Sequence, residues 1–176
     1  ILGCIGAGLI PSGSEDPYGL RRHSLGIIQI VLDRNWQISL DKLINVGTGL
    51  LSQKIKLKPN EIRSHTVDLF SQRLQTYLNS QGYPYDTIDA VLSTGIDSFV
   101  DICNKVAVFS ELKQQPYFEP LAITFRRVVS ILTKETKGST QPNLLQELEE
   151  KQLYKHNIQI REPLKKKLLP KNISSA

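Results

Sequence analysis

The chain has 176 residues, with 22 lysines and arginines against 17 aspartates and glutamates, which gives a formal net charge of +5. Its hydrophobic fraction of 40% is typical of a globular protein and excludes a disordered or fibrous chain. No apolar run reaches the roughly 18 to 20 residues of a membrane-spanning helix, and two distant cysteines exclude a disulfide scaffold or a zinc ribbon.

The first predicted helices follow from apolar runs and turn residues. Residues 1–9 are apolar and are typical of the end of an apolar helix, which the turn at residues 11–14 stops. Asp16 is then placed to cap a second helix, because Pro17 suits the first helical position, where no N–H is needed. Apolar residues recur at helical spacing from there to Asn35.

The middle of the chain predicts three more helices. Ser39 is a suitable cap for a short helix through Leu51. Asn60 is the next predicted cap, and the long amphipathic helix behind it ends at Gly82. A short helix follows over residues 86–92.

Ser98 predicts the cap of a further helix, and either Pro116 or Pro120 begins the next. The last clear helix spans about residues 143–156, and residues 158–161 form the one stretch that admits a strand. The helix after Pro116 or Pro120 has a predicted buried side made of Leu121, Phe125, Val128, Val129, Ile131 and Leu132.

This pattern predicts an all-α helical bundle, either single or made of two packed helical subdomains that meet near residues 56–59. Charge is distributed unevenly, since residues 151–176 hold seven basic residues against one glutamate. Such a basic tail is either a solvated terminal helix or a surface for phosphate groups. The absence of Met predicts that the chain is part of a longer protein.

The residues themselves predict no catalytic site and no metal site. His23, His65 and His156 stand apart from the spacings that bind metals. Cys103 lies on the apolar side of its helix, which favours a packed thiol over a nucleophile. The glycines of residues 3–8 resemble a phosphate loop only superficially, because no strand leads into them.

Two arginine pairs are candidates for special roles. Arg21 and Arg22 follow Glu15 and Asp16. One arginine is expected to pair with one of these carboxylates and brace the loop, and both are predicted to be structural braces between helices. Arg126 and Arg127 lie within an apolar helix, so their side chains must reach solvent, a carboxylate or a phosphate. A surface salt bridge is the commoner use of one such arginine, and phosphate contact is the alternative.

Several stretches resemble a known family. Residues 6–28 read GAGLIPSGSEDPYGLRRHSLGII and resemble a distinctive stretch of the bacterial glycyl-tRNA synthetase beta subunit. Residues 85–92 (YDTIDAVL), 125–132 (FRRVVSIL) and 145–154 (LQELEEKQLY) are similar to later elements of that family. Gly19 departs from the usual alanine, at an expected cost of roughly 1 kcal/mol in helix propensity.

The resemblance implies part of glycine–tRNA ligase, a cytoplasmic aminoacyl-tRNA synthetase of two alpha and two beta chains. Residues 1–56 would end an HD-like helical region. Residues 57–176 would form an incomplete DALR-type anticodon-binding bundle with a basic tail from residue 157. The alpha subunit would hold the catalytic site with ATP and Mg, so this chain would bind no cofactor and carry no catalytic residue.

The function implied by the resemblance is recognition of tRNA(Gly) for catalysis on the alpha subunit. The alternative is a helical scaffold that docks the partner subunit through the apolar residues 1–9 and binds no RNA. No membrane partner is expected. The candidate tRNA-binding residues are Arg126, Arg127, Lys134, Lys137, Lys165, Lys166 and Lys167.

Overall fold

The computed structural model describes residues 1–131 and 140–168, without the side chains of residues 162 and 164–168. Over these residues the secondary structure is helical and contains no strand, which confirms the predicted all-α class. A short 3₁₀ turn, Pro142–Leu144, precedes the last helix. The helices are α1 (Leu2–Gly6), α2 (Leu20–Asp33), α3 (Leu40–Leu50), α4 (Pro59–Ser80), α5 (Tyr85–Leu92), α6 (Phe99–Lys113), α7 (Phe118–Ile131) and α8 (Leu148–Leu168).

The chain divides into two compact units, Ile1–Thr124 and Phe125–Ala176. The predicted family boundary at residue 56 lies inside the first unit, where α1 and α4 from its two sides pack together. A compact unit of the structure need not coincide with a domain of the family, so the boundary at residue 56 stays a prediction.

The main core of the first unit is built by α2, α4, α5 and α6, and α3 adds Leu40 and Ile44 to it. Ile28, Leu74, Ile88 and Val106 are each fully buried there, one from each of the four helices. The rings of Phe70 and Phe99 stack at a centroid distance of 5.3 Å and join α4 to α6. A second, smaller cluster of buried residues consists of Ile5, Leu20, Ile62 and Leu69.

Helix α1 packs against α3 and α4, which covers its apolar side within this chain. Ile5 is fully buried, and Gly47 of α3 lets Leu2 approach so closely that a Cβ there would overlap the leucine. The proposed docking surface of residues 1–9 is therefore largely occupied by internal packing. Of its large apolar side chains, Leu9 is exposed, whereas Ile1 and Leu2 are half-buried.

The start of α2 differs from the prediction. The helix begins at Leu20, after Gly19 in the left-handed region with a φ of 63°, and not at Pro17. The Asp16 side chain still caps this helix, although Asp16 is not the N-cap residue. Its carboxylate accepts hydrogen bonds from the backbone N–H groups of Leu20 at 2.8 Å and Arg21 at 2.9 Å. A turn inserted before the helix thus separates the capping side chain from the cap position.

The start of α4 also differs by two residues. Lys58 is the N-cap residue and Pro59 the first helical residue, so Asn60 lies inside the first turn. The Glu61 carboxylate accepts the Lys58 backbone N–H at 2.9 Å. The predicted serine caps are confirmed, since Ser39 accepts from Lys42 N–H and Ser98 from Asp101 N–H.

The last two helices depart most from prediction. Within the part of the chain that the structure describes, no residue of α7 is buried, and Phe125 is 62% exposed. The predicted buried side of α7 is therefore wrong for its described residues, because periodicity locates an apolar face without showing that anything covers it. Leu132 lies outside the described residues. Residues 158–161 are helical, and α8 continues through Pro163, so the suggested strand is wrong.

Among the helices of residues 1–131 and 140–168, none combines the length and apolar content that a bilayer crossing requires.

Candidate nucleic-acid interface

Arg126 and Arg127 lie side by side on α7, and both are exposed. Neighbouring positions on an α-helix point about 100° apart, so the two guanidinium groups face different directions. Neither arginine lies within 4.0 Å of a carboxylate in the described ranges. The pair therefore presents two arginine forks to solvent, and such forks suit bidentate contact with phosphate.

The side chains of the five predicted lysines lie outside the part of the chain that the structure describes. Lys134 and Lys137 lie outside the described residues. Lys165, Lys166 and Lys167 occupy successive backbone positions of α8. Among the predicted residues whose side chains the structure describes, Arg126 and Arg127 are neighbours on α7.

A polar groove runs along α8 beside the segment that begins at Thr140. Half-buried Tyr154 lines it together with exposed Asn157 and Arg161. Unpaired RNA bases stack on aromatic rings and guanidinium planes, and their edges form hydrogen bonds with polar side chains. The groove offers a tyrosine ring, an amide and a guanidinium for these contacts. Glu150 is also in the groove, where its carboxylate accepts the backbone N–H groups of Gln146 and Glu147.

Sequence reasoning missed this groove, although Tyr154 is the one aromatic residue of the basic stretch 151–176. The signal was the spacing of residues 154, 157 and 161, which places three polar or aromatic groups along one helical face. The interpretation of residues 158–161 as a strand concealed that spacing.

Arg21 braces the loop before α2, as predicted in outline. Its guanidinium donates to the backbone carbonyl oxygen of Gly13 at 2.9 Å and not to a carboxylate. Desolvation is the largest single influence on the pKa of Asp16 and acts to raise it. The N–H groups of Arg21 and Leu20, together with the positive charges of the two arginines, outweigh desolvation, and the net pKa is lowered. The most distinctive sequence stretch therefore fixes a loop and a helix start.

An acidic residue of the stretch 85–92 is also structural. Asp86 forms an ion pair with Lys113, which ties the start of α5 to the end of α6. The hydrogen bond from Lys113 is the main cause of a lowered pKa for Asp86, although desolvation opposes it. Both ends of this ion pair lie in the first compact unit.

The thiol of Cys103 is packed against the core, and burial raises its pKa to about 11. It is therefore a protonated thiol at neutral pH, which agrees with the predicted packing role. No cluster of three or more His, Cys, Asp or Glu residues that could hold a metal occurs in the ranges described.

A family model and individual curated relatives relate this chain to the same group of proteins. The family model described as glycyl-tRNA synthetase beta subunit matches residues 1–93. The glycine–tRNA ligase beta subunit of Syntrophus aciditrophicus is 39% identical over 154 residues, which are 88% of this chain and 22% of the relative. The subunit of the same name from Geobacter sulfurreducens is 37% identical over 161 residues, 92% of this chain and 23% of the relative.

These relatives are components of an aminoacyl-tRNA synthetase, the class that catalyses attachment of amino acids to tRNA. Because the family model covers more than half of the residues, the chain belongs to the glycyl-tRNA synthetase beta-subunit family. It spans about a fifth of the length of the curated relatives it matches.

Proposed function

We propose that this chain is a tRNA-recognition part of glycine–tRNA ligase, whose reaction attaches glycine to tRNA(Gly) with ATP. Catalysis would occur on the alpha subunit, which would hold ATP and Mg. The complex would be a cytoplasmic heterotetramer of two alpha and two beta chains. Residues 1–56 would belong to the HD-like region and residues 57–176 to the DALR-type anticodon-binding bundle.

The observation that supports this proposal is the exposed arginine pair on α7. Arg126 and Arg127 have no carboxylate partner among the described residues, although other cations of the chain do. An exposed guanidinium without a protein partner can bind a phosphate at little desolvation cost. The Tyr154 groove adds groups that fit an unstacked base.

The test is tRNA binding by the complete alpha–beta complex carrying Arg126→Ala and Arg127→Ala. Loss of two phosphate contacts should weaken binding about tenfold or more near 0.1 M salt and reduce the salt slope of log K by about 2. Filter binding over a series of salt concentrations measures both quantities. The matched control is Arg34→Ala with Lys105→Ala, which removes the same charge from exposed positions elsewhere.

Unchanged affinity and salt slope in the double arginine variant would remove this pair from the tRNA interface. An equal loss in the control variant would show that total charge, and not the position of the arginines, governs binding.

A docking scaffold is the second candidate function, and one exposed apolar surface favours it. Leu43, Val46 and Leu50 lie along the outer side of α3, where Leu50 is 83% exposed. Apolar docking is insensitive to moderate salt, whereas phosphate binding weakens steeply. A complex in which Val46→Lys releases the alpha subunit while tRNA affinity is kept would favour the scaffold.

A further inference from the structure

Three lysines alternate with two apolar residues in the segment that joins α3 to α4. Lys54, Lys56 and Lys58 are exposed, whereas Ile55 and Leu57 are half-buried and pack against the smaller core cluster. Residues 51–60 contain no acidic residue, so this segment carries a charge of +3. We name Lys54, Lys56 and Lys58 the lysine row.

The backbone beneath the lysine row is fixed. The backbone N–H groups of Lys56 and Leu57 both donate to the carbonyl oxygen of Gly6, at 2.7 and 3.1 Å. Gly6 has no Cβ, and a Cβ at that position would overlap the side chain of Ile55. Because Ile55 and Leu57 are anchored inward, the lysines are held on the outer side of the segment.

Some other cations of the same unit are paired with carboxylates. Arg63 is paired with Asp41 at 2.9 Å, and Lys113 with Asp86. No lysine of the row lies within 4.0 Å of a carboxylate oxygen in the described part of the chain. The row is therefore a concentration of uncompensated positive charge.

One feature next to the row also favours an anion. Helix α4 has 22 residues and begins directly after Lys58, so its positive N-terminal end adds to the lysine charges. Glu61 is the one acidic residue of its first turn.

We propose that the lysine row binds the phosphate backbone of an RNA strand, as a contact distinct from the arginine pair of α7. The Cα atoms of Lys54 and Lys58 are at most about 14 Å apart, a length that a few consecutive phosphates of one strand can follow. Lysine ammonium groups act as point charges that attract phosphates without reading the sequence. This inference rests on the proposed function, since tRNA is the RNA in question.

The experiment compares tRNA binding by the complete alpha–beta complex with the variant Lys54→Gln, Lys56→Gln, Lys58→Gln. The salt slope of log K should fall by about 2 to 3, and the dissociation constant should rise at least about tenfold near 0.1 M salt. Affinity for a non-cognate tRNA should fall by a similar factor, because phosphate contacts carry no sequence information. A triple Lys→Arg variant should keep wild-type binding.

The matched control removes three exposed cations elsewhere by Arg34→Gln, Lys42→Gln and Lys105→Gln. It should change the salt slope much less than the lysine-row variant. Thermal unfolding should be the same for all variants, since every substituted side chain is exposed. If the triple Gln variant unfolds early, Lys56→Gln alone supplies the test, with an expected slope change of about 1.

The outcomes separate this inference from the proposed function. An unchanged dissociation constant and slope in the lysine-row variant would overturn the inference, while the Arg126 and Arg127 variant would still decide the proposed function. A wild-type complex without salt-dependent tRNA binding would overturn both. Release of the alpha subunit with unchanged tRNA affinity would show that the row binds an acidic protein surface, and would also overturn the inference.

Discussion

At the residue scale, the backbone φ angle of Gly19 decides how replacement of this glycine by alanine affects stability. The sequence suggested a glycine inside a helix, where it weakens the helix relative to alanine. The structure places Gly19 at the cap of α2 with a φ of 63°, where glycine avoids the strain that a Cβ introduces. The predicted cost in helix propensity is therefore wrong.

We expect Gly19→Ala to lower the free energy of unfolding by about 1 kcal/mol, because alanine tolerates a positive φ poorly. A Cβ at this position would also lie 3.1 Å from the Arg22 guanidinium, which can move aside. Urea unfolding of the 176-residue chain followed by circular dichroism measures the change. Greater stability in the variant would mean that α2 gains a turn and that Asp16 then caps it directly.

At the scale of elements, one carboxylate joins the starts of two helices. Asp97 precedes α6, and its side chain accepts the Ser39 hydroxyl at 2.8 Å and the Asp41 backbone N–H at 2.9 Å at the start of α3. Its backbone carbonyl oxygen also accepts the Leu40 N–H. Asp41 extends the arrangement to α4 through its ion pair with Arg63.

This arrangement makes stability depend on pH. The N–H of Asp41 is the largest cause of a lowered Asp97 pKa, desolvation opposes it, and the Ser39 hydroxyl lowers the pKa further. A carboxyl group whose pKa is lower in the folded state stabilises the fold above its unfolded pKa of about 3.9. That stabilisation is lost as the pH falls through the folded pKa.

We therefore expect Asp97→Asn to reduce stability near neutral pH and to flatten the loss of stability below about pH 5. Urea midpoints from pH 7 to pH 2.5 measure the effect. The flattening should be partial, because the pKa values of Asp16 and Asp86 are also lowered. Identical pH profiles for the variant and the wild type would contradict the role given to Asp97.

Helix α7 shows the limit of periodicity at this scale. Its apolar residues recur at helical spacing, and the helix is present as predicted. Its apolar side chains are nevertheless exposed, including Ile131 at 78%. Periodicity follows from the geometry of one helix, whereas burial requires a second surface.

At the scale of the whole molecule, the buried hydrophobic residues of the described chain run from Ile5 to Val106. All of them belong to the compact unit Ile1–Thr124. Burial of apolar surface is the main stabilising contribution to a fold, so this unit should hold most of the stability of the chain.

We expect a chain of residues 1–124 to unfold cooperatively, with a free energy of unfolding within about 1 kcal/mol of that of the 176-residue chain. Urea unfolding of both chains tests this. Loss of the cooperative transition in the shorter chain would show that residues 125–176 are needed for the core.

The sequence by itself determined the all-α class, the approximate positions of most helices and the serine caps, because these depend on neighbouring residues and on local hydrogen bonds. The stretch at residues 6–28 likewise indicated the family. Tertiary structure decided where α2 begins, that Arg21 donates to Gly13, and that Ile55 and Leu57 hold three lysines outward over Gly6. These features join residues that are distant in sequence or depend on a backbone angle fixed by packing, which local patterns do not encode.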